Sequence, residues 1–410
     1  MRFASYIVRF DLGSIPVVGN TKTGAIIGLT SEGVELCDAL LAGDVSRESI
    51  PKACDELVEY FEGHDFFENS NHALSGPISA YLHITDFCNR SCIGCYSAGK
   101  GRNRYQDPSL NELCRAAFLL KTLGVQRLII SGGEPFLRND LPQAVDRFKK
   151  CGISHITLLT NGTVCEDAAL ANLAGIVDEI SVSLDISSPL ETSQVRGDDD
   201  FRAIVNLVQR IKAKGIHATL LATLHSGNVD SVPNYIELAH KLGVTVGFTL
   251  LSDTRGSLGV LAPSDTCLVH LADVMSAAHK RQSPMFRNPC DFGSSLCARA
   301  SCGAGRSTVS IAVDGDVFPC HMLHFEEFCL GNAFTDDIGI IRQNLRRFSM
   351  PSVDVTDGCS VCDKRYLCGG GCKARSYREY GRLDTRDPYC AYYSHALNTA
   401  IDSFLDQLCK

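Results

Sequence analysis

The residues best suited to chemistry are three cysteines in the stretch DFCNRSCIGCYSAGKG, residues 86–101. Their spacing is Cys88-x3-Cys92-x2-Cys95, and the next cysteine, Cys114, lies in a helix-like pattern. Thiolates bind zinc, copper(I) or iron-sulfur clusters, and a structural zinc site normally takes four ligands. A four-iron cluster held by three cysteines leaves one iron open for a ligand that is not protein. The spacing therefore favours such a cluster.

A second group of cysteines occupies the C-terminal part of the chain, which has 20 cysteines in all. A reducing compartment gives a disulfide scaffold no support, so many of these cysteines must have another role. From about residue 287 onward Gly, Cys and Pro are dense and regular periodicity fades. We expect this region to be held together by metal ligation more than by a conventional core. The eight ordered cysteines are Cys297, Cys302, Cys320, Cys359, Cys362, Cys368, Cys372 and Cys390.

The elements around the first three cysteines alternate between strands and helices. Helix-like stretches of ten or more residues separate six apolar strands between residues 79 and 252: AYLHIT, QRLIIS, SHITLLT, EISVSL, HATLLATL and VTVGFTL. This pattern predicts an α/β fold with a parallel sheet of six units, a partial (β/α)6 TIM barrel with its chemistry at the C-terminal strand ends. The loop with Cys88 follows the first strand and therefore lies at that end.

The remaining segments complete a four-part organisation. Residues 1–76 contain short alternating stretches followed by two helical patterns, which predicts a small α+β module. We assign 77–252 to the barrel, 253–286 to a linker and 287–410 to the Cys-rich domain.

Composition excludes several classes of protein. The chain has 410 residues, 45% of them hydrophobic, and a formal charge of −8. This balance gives no general reason to bind nucleic acid or an anionic membrane. The N-terminus lacks the apolar core of a signal peptide, and no apolar run approaches the roughly 18 residues of a membrane span. We expect a cytoplasmic protein without a nucleic-acid or membrane partner.

Residues 79–252 resemble the radical S-adenosylmethionine (SAM) superfamily, in which SAM occupies the open iron. The motifs, in order, are SGGEP at 131–135, TNG at 160–162, SVSLD at 181–185 and VRG at 195–197. The resemblance implies that SAM is bound by Gly132, Gly133, Glu134, Asn161, Ser183 and Arg196. Many family members carry an aromatic residue or His directly before the third cysteine, where this chain has Gly94. Tyr96, after that cysteine, is therefore the candidate for covering the adenine.

The C-terminal cysteines resemble the SPASM domain through the spacing Cys302-x12-Gly315-x4-Cys320, followed by Cys359-x2-Cys362-x5-Cys368-x3-Cys372 and Cys390. The resemblance implies two auxiliary clusters, and so three 4Fe-4S clusters in all. The implied ligands are Cys297, Cys302, Cys320 and Cys372 for the first and Cys359, Cys362, Cys368 and Cys390 for the second. If Cys297 is not a ligand, the first auxiliary cluster has an open iron. A pair of zinc sites is the alternative, since CxxC pairs serve either metal.

The resemblance implies a reaction in which SAM is cleaved to a 5′-deoxyadenosyl radical and the auxiliary clusters accept an electron. SPASM proteins mostly modify peptides, and residues 1–76 resemble the winged-helix-like RRE modules that catch a leader peptide along a strand edge. We therefore expect a maturase that forms a thioether or carbon-carbon crosslink in a ribosomally made precursor peptide. Its expected second partner is a flavodoxin- or ferredoxin-like electron donor.

Three other functions stay open. An anaerobic sulfatase maturase would share the auxiliary region, but such enzymes place a proton-accepting Asp where this chain has His321; a His could also take a proton at neutral pH. The tail CGGGCKARSYREYGRLDTRDPYC is also similar to tetrapyrrole enzymes, including a decarboxylase of haem synthesis. A zinc-binding interaction protein without catalytic activity is the third alternative.

Overall fold

The computed structural model describes residues 1–68, 76–98, 102–197, 201–253, 255–280, 286–287 and 296–408. The N-terminal residues form an antiparallel sheet in the order β1-β2-β3 with two helices packed on it. The Thr30 side chain accepts a hydrogen bond from the Gly33 N–H group and so caps the first helix. The elements are β1 Ile7–Leu12, β2 Ile15–Asn20, β3 Ile26–Gly28, α1 Ser31–Ala42 and α2 Asp55–Gly63.

A parallel sheet of six strands follows, as the alternating pattern predicts. Its strands are β4 Ser79–Thr85, β5 Arg127–Gly132, β6 His155–Thr160, β7 Glu179–Ser183, β8 His217–Leu224 and β9 Thr245–Leu250. The connecting helices are α3 Leu110–Leu123, α4 Leu141–Lys150, α5 Asp167–Leu173, α6 Phe201–Ala213 and α7 Val232–Leu242.

Side chains alternate between the two faces of the first barrel strand, β4. Ala80, Leu82 and Ile84 are buried in the main hydrophobic core with the helices. Because the side-chain period of a strand is two, Tyr81 and His83 lie on the opposite face, toward the barrel interior. The interior face of β4 is thus aromatic and polar, whereas the face toward the helices is apolar.

The C-terminal part of the chain extends the same sheet. β10 pairs in parallel with β9, β11 pairs in parallel with β4, and β12 pairs antiparallel with β11, which gives an open nine-stranded sheet. The remaining elements are α8 Arg255–Leu258, α9 Asp265–Lys280, β10 Phe286–Arg287, β11 Thr308–Ile311, β12 Val317–Phe318, α10 Ile338–Arg347, α11 Arg365–Cys368, α12 Lys373–Tyr380 and α13 Cys390–Leu408.

Two features of this region are not expected from the sequence. Val309, Ile311, Val317 and Tyr389 belong to the main hydrophobic core, so the region beyond residue 287 shares that core, and the larger contribution expected from metal ligation stays a prediction. The segment 253–286, assigned to a linker, contains α8 and α9, and α9 packs against α13. In the described residues, no helix is long and apolar enough to cross a membrane.

Candidate functional site

The loop that carries Cys88, Cys92 and Cys95 lies at the C-terminal end of β4. The Ile93 N–H group donates to the Val195 carbonyl oxygen at 2.8 Å, which fixes the loop against the segment that contains the VRG motif. Burial raises the pKa of Cys92, and the thiols of Cys95 and Cys88 raise it further because all three are close together. The structure therefore gathers the three thiols as the spacing implies.

Two glycines of the SGGEP motif allow the ends of β4 and β5 to approach closely. The Gly133 N–H group donates to the Thr85 carbonyl oxygen at 2.7 Å. A Cβ atom on Gly132 would lie 2.3 Å from the same oxygen, and one on Gly133 would lie 1.9 Å from the Phe87 carbonyl oxygen. Any side chain at either position would push the cysteine loop away from β5.

The Glu134 carboxylate is buried and connects the ends of two strands. It accepts hydrogen bonds from the Thr160 hydroxyl at 2.8 Å, the Asn161 N–H group at 2.7 Å and the Phe136 N–H group at 3.1 Å. Burial raises the pKa of Glu134, whereas these donors lower it. Because groups of the chain occupy both carboxylate oxygens, we infer that Glu134 acts on the site by positioning Asn161.

Gly94 is explained by its neighbours. Its φ of 64° lies in the left-handed region, and a Cβ atom there would lie 2.7 Å from the Leu251 Cδ1 atom and 3.2 Å from Leu258 Cδ2. Two leucines thus fill the space that an aromatic residue or His would need. Tyr96 donates or accepts a 2.5 Å hydrogen bond with the Ser131 hydroxyl. Its ring faces the barrel interior, and its contact with the adenine stays a prediction.

The last two SAM-site candidates lie at the ends of neighbouring elements. Ser183 is half-buried at the end of β7. The Arg196 Nε atom donates to the fully buried Asp185 carboxylate at 2.6 Å, and Asp185 also accepts from the Thr223 N–H group at 2.8 Å. Arg196 lies close enough to Cys92 to lower the pKa of that thiol. Its guanidinium is therefore held beside the three-cysteine loop, and its contact with SAM stays a prediction.

Arg102 was not singled out from the sequence but contacts the cysteine loop directly. Its guanidinium donates to the Cys95 Sγ atom at 2.7 Å, the Ser97 hydroxyl at 2.7 Å and the Gly132 carbonyl oxygen at 3.1 Å. Burial raises the pKa of Cys95, but Arg102 and the Ser97 hydrogen bonds outweigh burial and lower it overall. The lowered pKa makes the thiolate, which is the form that ligates iron, easier to reach at Cys95.

The C-terminal thiols fall into two groups that contain seven of the eight cysteines which the resemblance implies as ligands, and their ligation stays a prediction. Cys302, Cys320 and Cys372 interact electrostatically with one another, and burial raises the pKa of Cys320 to about 12. The second set also interacts within itself, and consists of Cys359, Cys362, Cys368 and Cys390.

Cys297 lies next to the N-terminal sheet. The neighbouring Ala298 N–H group donates to the Gly24 carbonyl oxygen at 2.9 Å, and a Cβ atom on Gly24 would lie 3.3 Å from the Cys297 Cβ atom. The Cys297 thiol accepts a hydrogen bond from Arg299. These contacts place Cys297 where the N-terminal module meets the Cys-rich domain, and its ligation stays a prediction.

A buried ion pair joins the two groups of thiols. The Arg375 guanidinium donates twice to the Asp387 carboxylate, at 3.0 and 2.7 Å, and both side chains are nearly fully buried. Asp387 also accepts from the Cys372 N–H group at 2.6 Å. Because Cys390 follows Asp387 by three residues, this carboxylate connects a cysteine of each set. In the sequence, Asp387 is the first residue of the DPYC motif.

Histidines line the interval between the three-cysteine loop and the first auxiliary group. His321 directly follows Cys320 and stacks on Tyr81, with ring centroids 3.9 Å apart. It also makes an edge contact with Tyr96 at 5.0 Å. Burial lowers the pKa of His321 to about 4, with a smaller contribution from Arg378. The side chain is therefore neutral at pH 7.

His83 lies beside this contact, on the interior face of β4. Its ring centroid is 4.9 Å from that of His324 and 5.9 Å from that of Tyr96. Burial lowers the pKa of His83 well below its usual range, and the nearby His324, His321 and Arg102 lower it further. The Nε2 atom is buried and has no hydrogen-bond partner among the described residues. A buried polar atom without a partner points to a ligand that supplies one.

The donor sets fit iron-sulfur clusters. Soft thiols dominate all three groups, and the cysteine loop supplies three of them, as a cluster with an open iron requires. In the described part of the chain, no three His, Cys, Asp or Glu side chains converge closely enough to hold a single metal ion.

Two family profiles match the chain at these sites. The radical SAM superfamily profile matches residues 82–239, and the SPASM profile, described as an iron-sulfur cluster-binding domain, matches residues 302–363. The first range contains the cysteine loop and the histidine on β4. The second contains Cys302, Cys320, Cys359 and Cys362, which are half of the cysteines of the two implied auxiliary sets.

Two characterised relatives are similar over most of their length. The mycofactocin maturase MftC of Mycobacterium ulcerans is 28% identical over 350 residues, which covers 82% of this chain and 92% of MftC. The PqqA peptide cyclase of Ruegeria pomeroyi is 25% identical over 330 residues, which covers 78% of this chain and 88% of the cyclase.

Solved structures share the fold. Streptococcus suis SuiB bound to the precursor peptide SuiA has a TM-score of 0.62 at 15% identity, covering 95% of this chain and 99% of SuiB. The anSMEcpe protein with bound AdoMet has a TM-score of 0.65 at 16% identity, covering 80% of this chain and 95% of anSMEcpe. Together with the family matches, these likenesses establish that the chain carries a radical SAM domain followed by an iron-sulfur cluster-binding SPASM domain.

Proposed function

We propose that this enzyme oxidatively modifies a ribosomally made precursor peptide, forming a thioether or a carbon-carbon crosslink. The observation that carries the proposal is the contact between Tyr96, next to the SAM-cluster cysteines, and His321, next to a first-auxiliary cysteine. One stretch of the barrel interior therefore borders both cluster sites. A substrate held there would be within reach of the radical and of an electron acceptor.

The chain must supply three things to this reaction. When bound, a 4Fe-4S cluster on Cys88, Cys92 and Cys95 and the SAM molecule supply a 5′-deoxyadenosyl radical that removes one hydrogen atom from the peptide. Closing a crosslink then releases one further proton and one electron. The protein therefore has to hold the peptide, accept the proton and provide a path for the electron.

Residues of the barrel interior suit the first two tasks. His83 presents an unpartnered, neutral Nε2 atom to the interior, which suits a hydrogen bond to a polar group of the peptide. His321 is neutral at pH 7 and can accept the proton. Its lowered pKa means that it holds a proton only briefly, so the proton must pass onward. Two sets of cysteines, the first of which includes Cys320, suit the electron path.

The N-terminal module suits capture of a leader peptide. β3 is an edge strand of the three-stranded sheet. Val18 and Ile27 pair through hydrogen bonds across β2 and β3, so the backbone N–H group of Gly28 points toward the open side. The fold match to SuiB covers 95% of this chain and must include most of residues 1–76. A peptide strand could add to this edge.

The comparisons also bear on the substrate. MftC is named as a maturase and the PqqA protein as a peptide cyclase, and SuiB was solved with a precursor peptide. These names favour a peptide substrate here over a tetrapyrrole. The sulfatase-maturase alternative is weakened because His321 stands where those enzymes place an Asp.

The proposal includes an electron donor of the flavodoxin or ferredoxin class. It also includes a reducing compartment, the cytoplasm, because cluster ligation needs free thiols and all cysteines in the described residues are free. Three clusters predict about twelve irons per chain, with matching sulfide. Zinc without sulfide would instead support the non-enzymatic alternative.

The test is anaerobic incubation with SAM, a reductant and the peptide encoded beside this gene, followed by mass spectrometry. We expect the peptide to lose two hydrogens per crosslink and the Cys88→Ala variant to leave it unchanged. An unmodified peptide in the presence of fully loaded wild-type enzyme would contradict the proposal. Modification of a sulfatase peptide instead would support the alternative.

A further inference from the structure

Lys373 is a fully buried lysine that forms no ion pair with any of the described residues. The residue is 0% exposed, although lysine side chains are almost never fully buried unless paired. Its Nζ atom donates to the hydroxyl of Thr356 at 2.9 Å, and Thr356 is itself fully buried. A neutral hydroxyl does not compensate an ammonium that has been removed from water.

Lys373 lies beside residues of both auxiliary groups: it directly follows Cys372, and the carbonyl oxygen of its partner Thr356 accepts a hydrogen bond from the Cys359 N–H group at 3.0 Å. The backbone N–H group of Lys373 donates a hydrogen bond to the thiol of Cys302, which belongs to the first group. The positive charge of the Lys373 side chain also lowers the pKa of that thiol, against the effect of burial. The same charge lowers the pKa of the Cys359 thiol, which belongs to the second group, against the effect of burial. The Asp387 carboxylate also raises the pKa of Lys373, but both Asp387 carboxylate oxygens accept hydrogen bonds from Arg375.

The chain path explains this position. Lys373 is the first residue of α12 and directly follows Cys372, a member of the first group. Its side chain runs past Gly370, where a Cβ atom would lie 3.0 Å from Nζ. Gly370 therefore keeps open the space that the ammonium occupies between the two groups.

We propose that the Lys373 ammonium is a shared electrostatic element of the two auxiliary clusters, which stabilises either site when it takes up an electron. Adding one electron makes a thiolate-ligated cluster more negative by one charge, and no bond is formed or broken. A fixed positive charge nearby favours that state, and the effect is strong where water is excluded. Because the charge lies beside both sites, it raises the midpoint potential of each.

The test is a redox titration of the full-length, cluster-loaded protein with dithionite, followed by electron paramagnetic resonance, without any peptide. Lys373→Met removes the charge at similar volume, whereas Lys373→Arg keeps it. Lys364→Met is the matched control, because the Lys364 ammonium is already paired with Asp363 at 2.8 Å. Iron content is measured for every variant.

We expect Lys373→Met to shift the auxiliary midpoint potentials to more negative values, and Lys373→Arg to behave like the wild type. The signal of the three-cysteine cluster and the Lys364→Met potentials should not move. Unchanged potentials in an iron-replete Lys373→Met protein would overturn the proposal, as would an equal shift in Lys364→Met. Loss of iron from both Lys373 variants would show a role in assembly only and would also overturn it. The potentials are measured without peptide, so a failed peptide assay would not change what they show about Lys373.

Discussion

At the scale of single residues, the site combines side chains that sequence motifs indicate with others whose importance is visible only in the folded structure. The cysteine spacing singles out the chemically important thiols, and the membership of the two auxiliary sets is what the resemblance to the SPASM domain implies. His83 and Lys373 carry no such signal, because a lone His in a strand or a Lys after a cysteine is usually solvated. Their burial arises from strand alternation in β4 and from the start of α12.

His83 provides a prediction about substrate binding. We expect His83→Leu to weaken binding of the precursor peptide roughly fivefold, the loss of one neutral hydrogen bond of about 1 kcal/mol. His83→Gln should recover part of the affinity, since the amide can still form a hydrogen bond. SAM cleavage should continue in both variants, so more 5′-deoxyadenosine is made per crosslink.

The pH dependence of that prediction follows from the pKa. Burial lowers the pKa of His83 well below 6.5, so the imidazole is neutral at pH 6 and at pH 8. The ratio of wild-type to His83→Leu affinity should therefore be flat over this range, as measured by fluorescence anisotropy on oxidised, cluster-loaded protein. His155→Leu, at the opposite end of the barrel, is the control. A ratio that falls steeply toward pH 6 would contradict the account.

At the scale of elements, two buried connections determine where the thiols lie. The glycines of the SGGEP motif let β5 approach the cysteine loop, and the Arg375–Asp387 pair ties the start of α12 to the start of α13. The SGGEP motif was identified from the sequence, and the structure shows that its two glycines leave no room for a side chain. The second was not foreseen, because ion pairing between distant residues leaves no periodic signal.

Asp387 tests the second connection. Asp387→Asn leaves the buried Arg375 charge uncompensated, so we expect a loss of roughly 3 kcal/mol in the free energy of unfolding. The auxiliary clusters should be lost first, leaving about four irons per chain. Asp384→Asn breaks an Arg–Asp pair that is exposed to solvent and should retain all three clusters. Full iron content in Asp387→Asn would show that the buried pair is dispensable.

The edge of β3 gives the prediction for leader binding. Gly28→Pro removes the backbone N–H group that points toward the open side, and we expect it to weaken binding of the leader segment. Gly28→Ala keeps that donor, and its Cβ atom would meet only Ile15 at 3.8 Å, so it should bind like the wild type. Isothermal titration with the isolated leader peptide measures both. Equal affinities for the two variants would exclude strand addition at this edge.

At the scale of the whole molecule, the sequence predicts the six parallel strands because each is long, apolar and separated by a helical stretch. It does not predict that β10, β11 and β12 extend the same sheet, because these strands have only two to four residues and two of them lie among Gly- and Cys-rich turns. Through β11 and β12 the SPASM domain continues the sheet beyond β4. That continuity brings His321 and His324 over the barrel interior.

The central claim is that a peptide hydrogen is removed by the SAM-derived radical in the barrel interior, and isotope transfer tests it most directly. The measurement is mass spectrometry of 5′-deoxyadenosine and peptide after anaerobic turnover with a fully deuterated precursor peptide. We predict one deuterium in each 5′-deoxyadenosine formed during productive turnover, together with loss from the peptide of one carbon-bound deuterium per thioether or two per carbon-carbon crosslink. Deuterium-free 5′-deoxyadenosine beside an unchanged peptide would contradict the account.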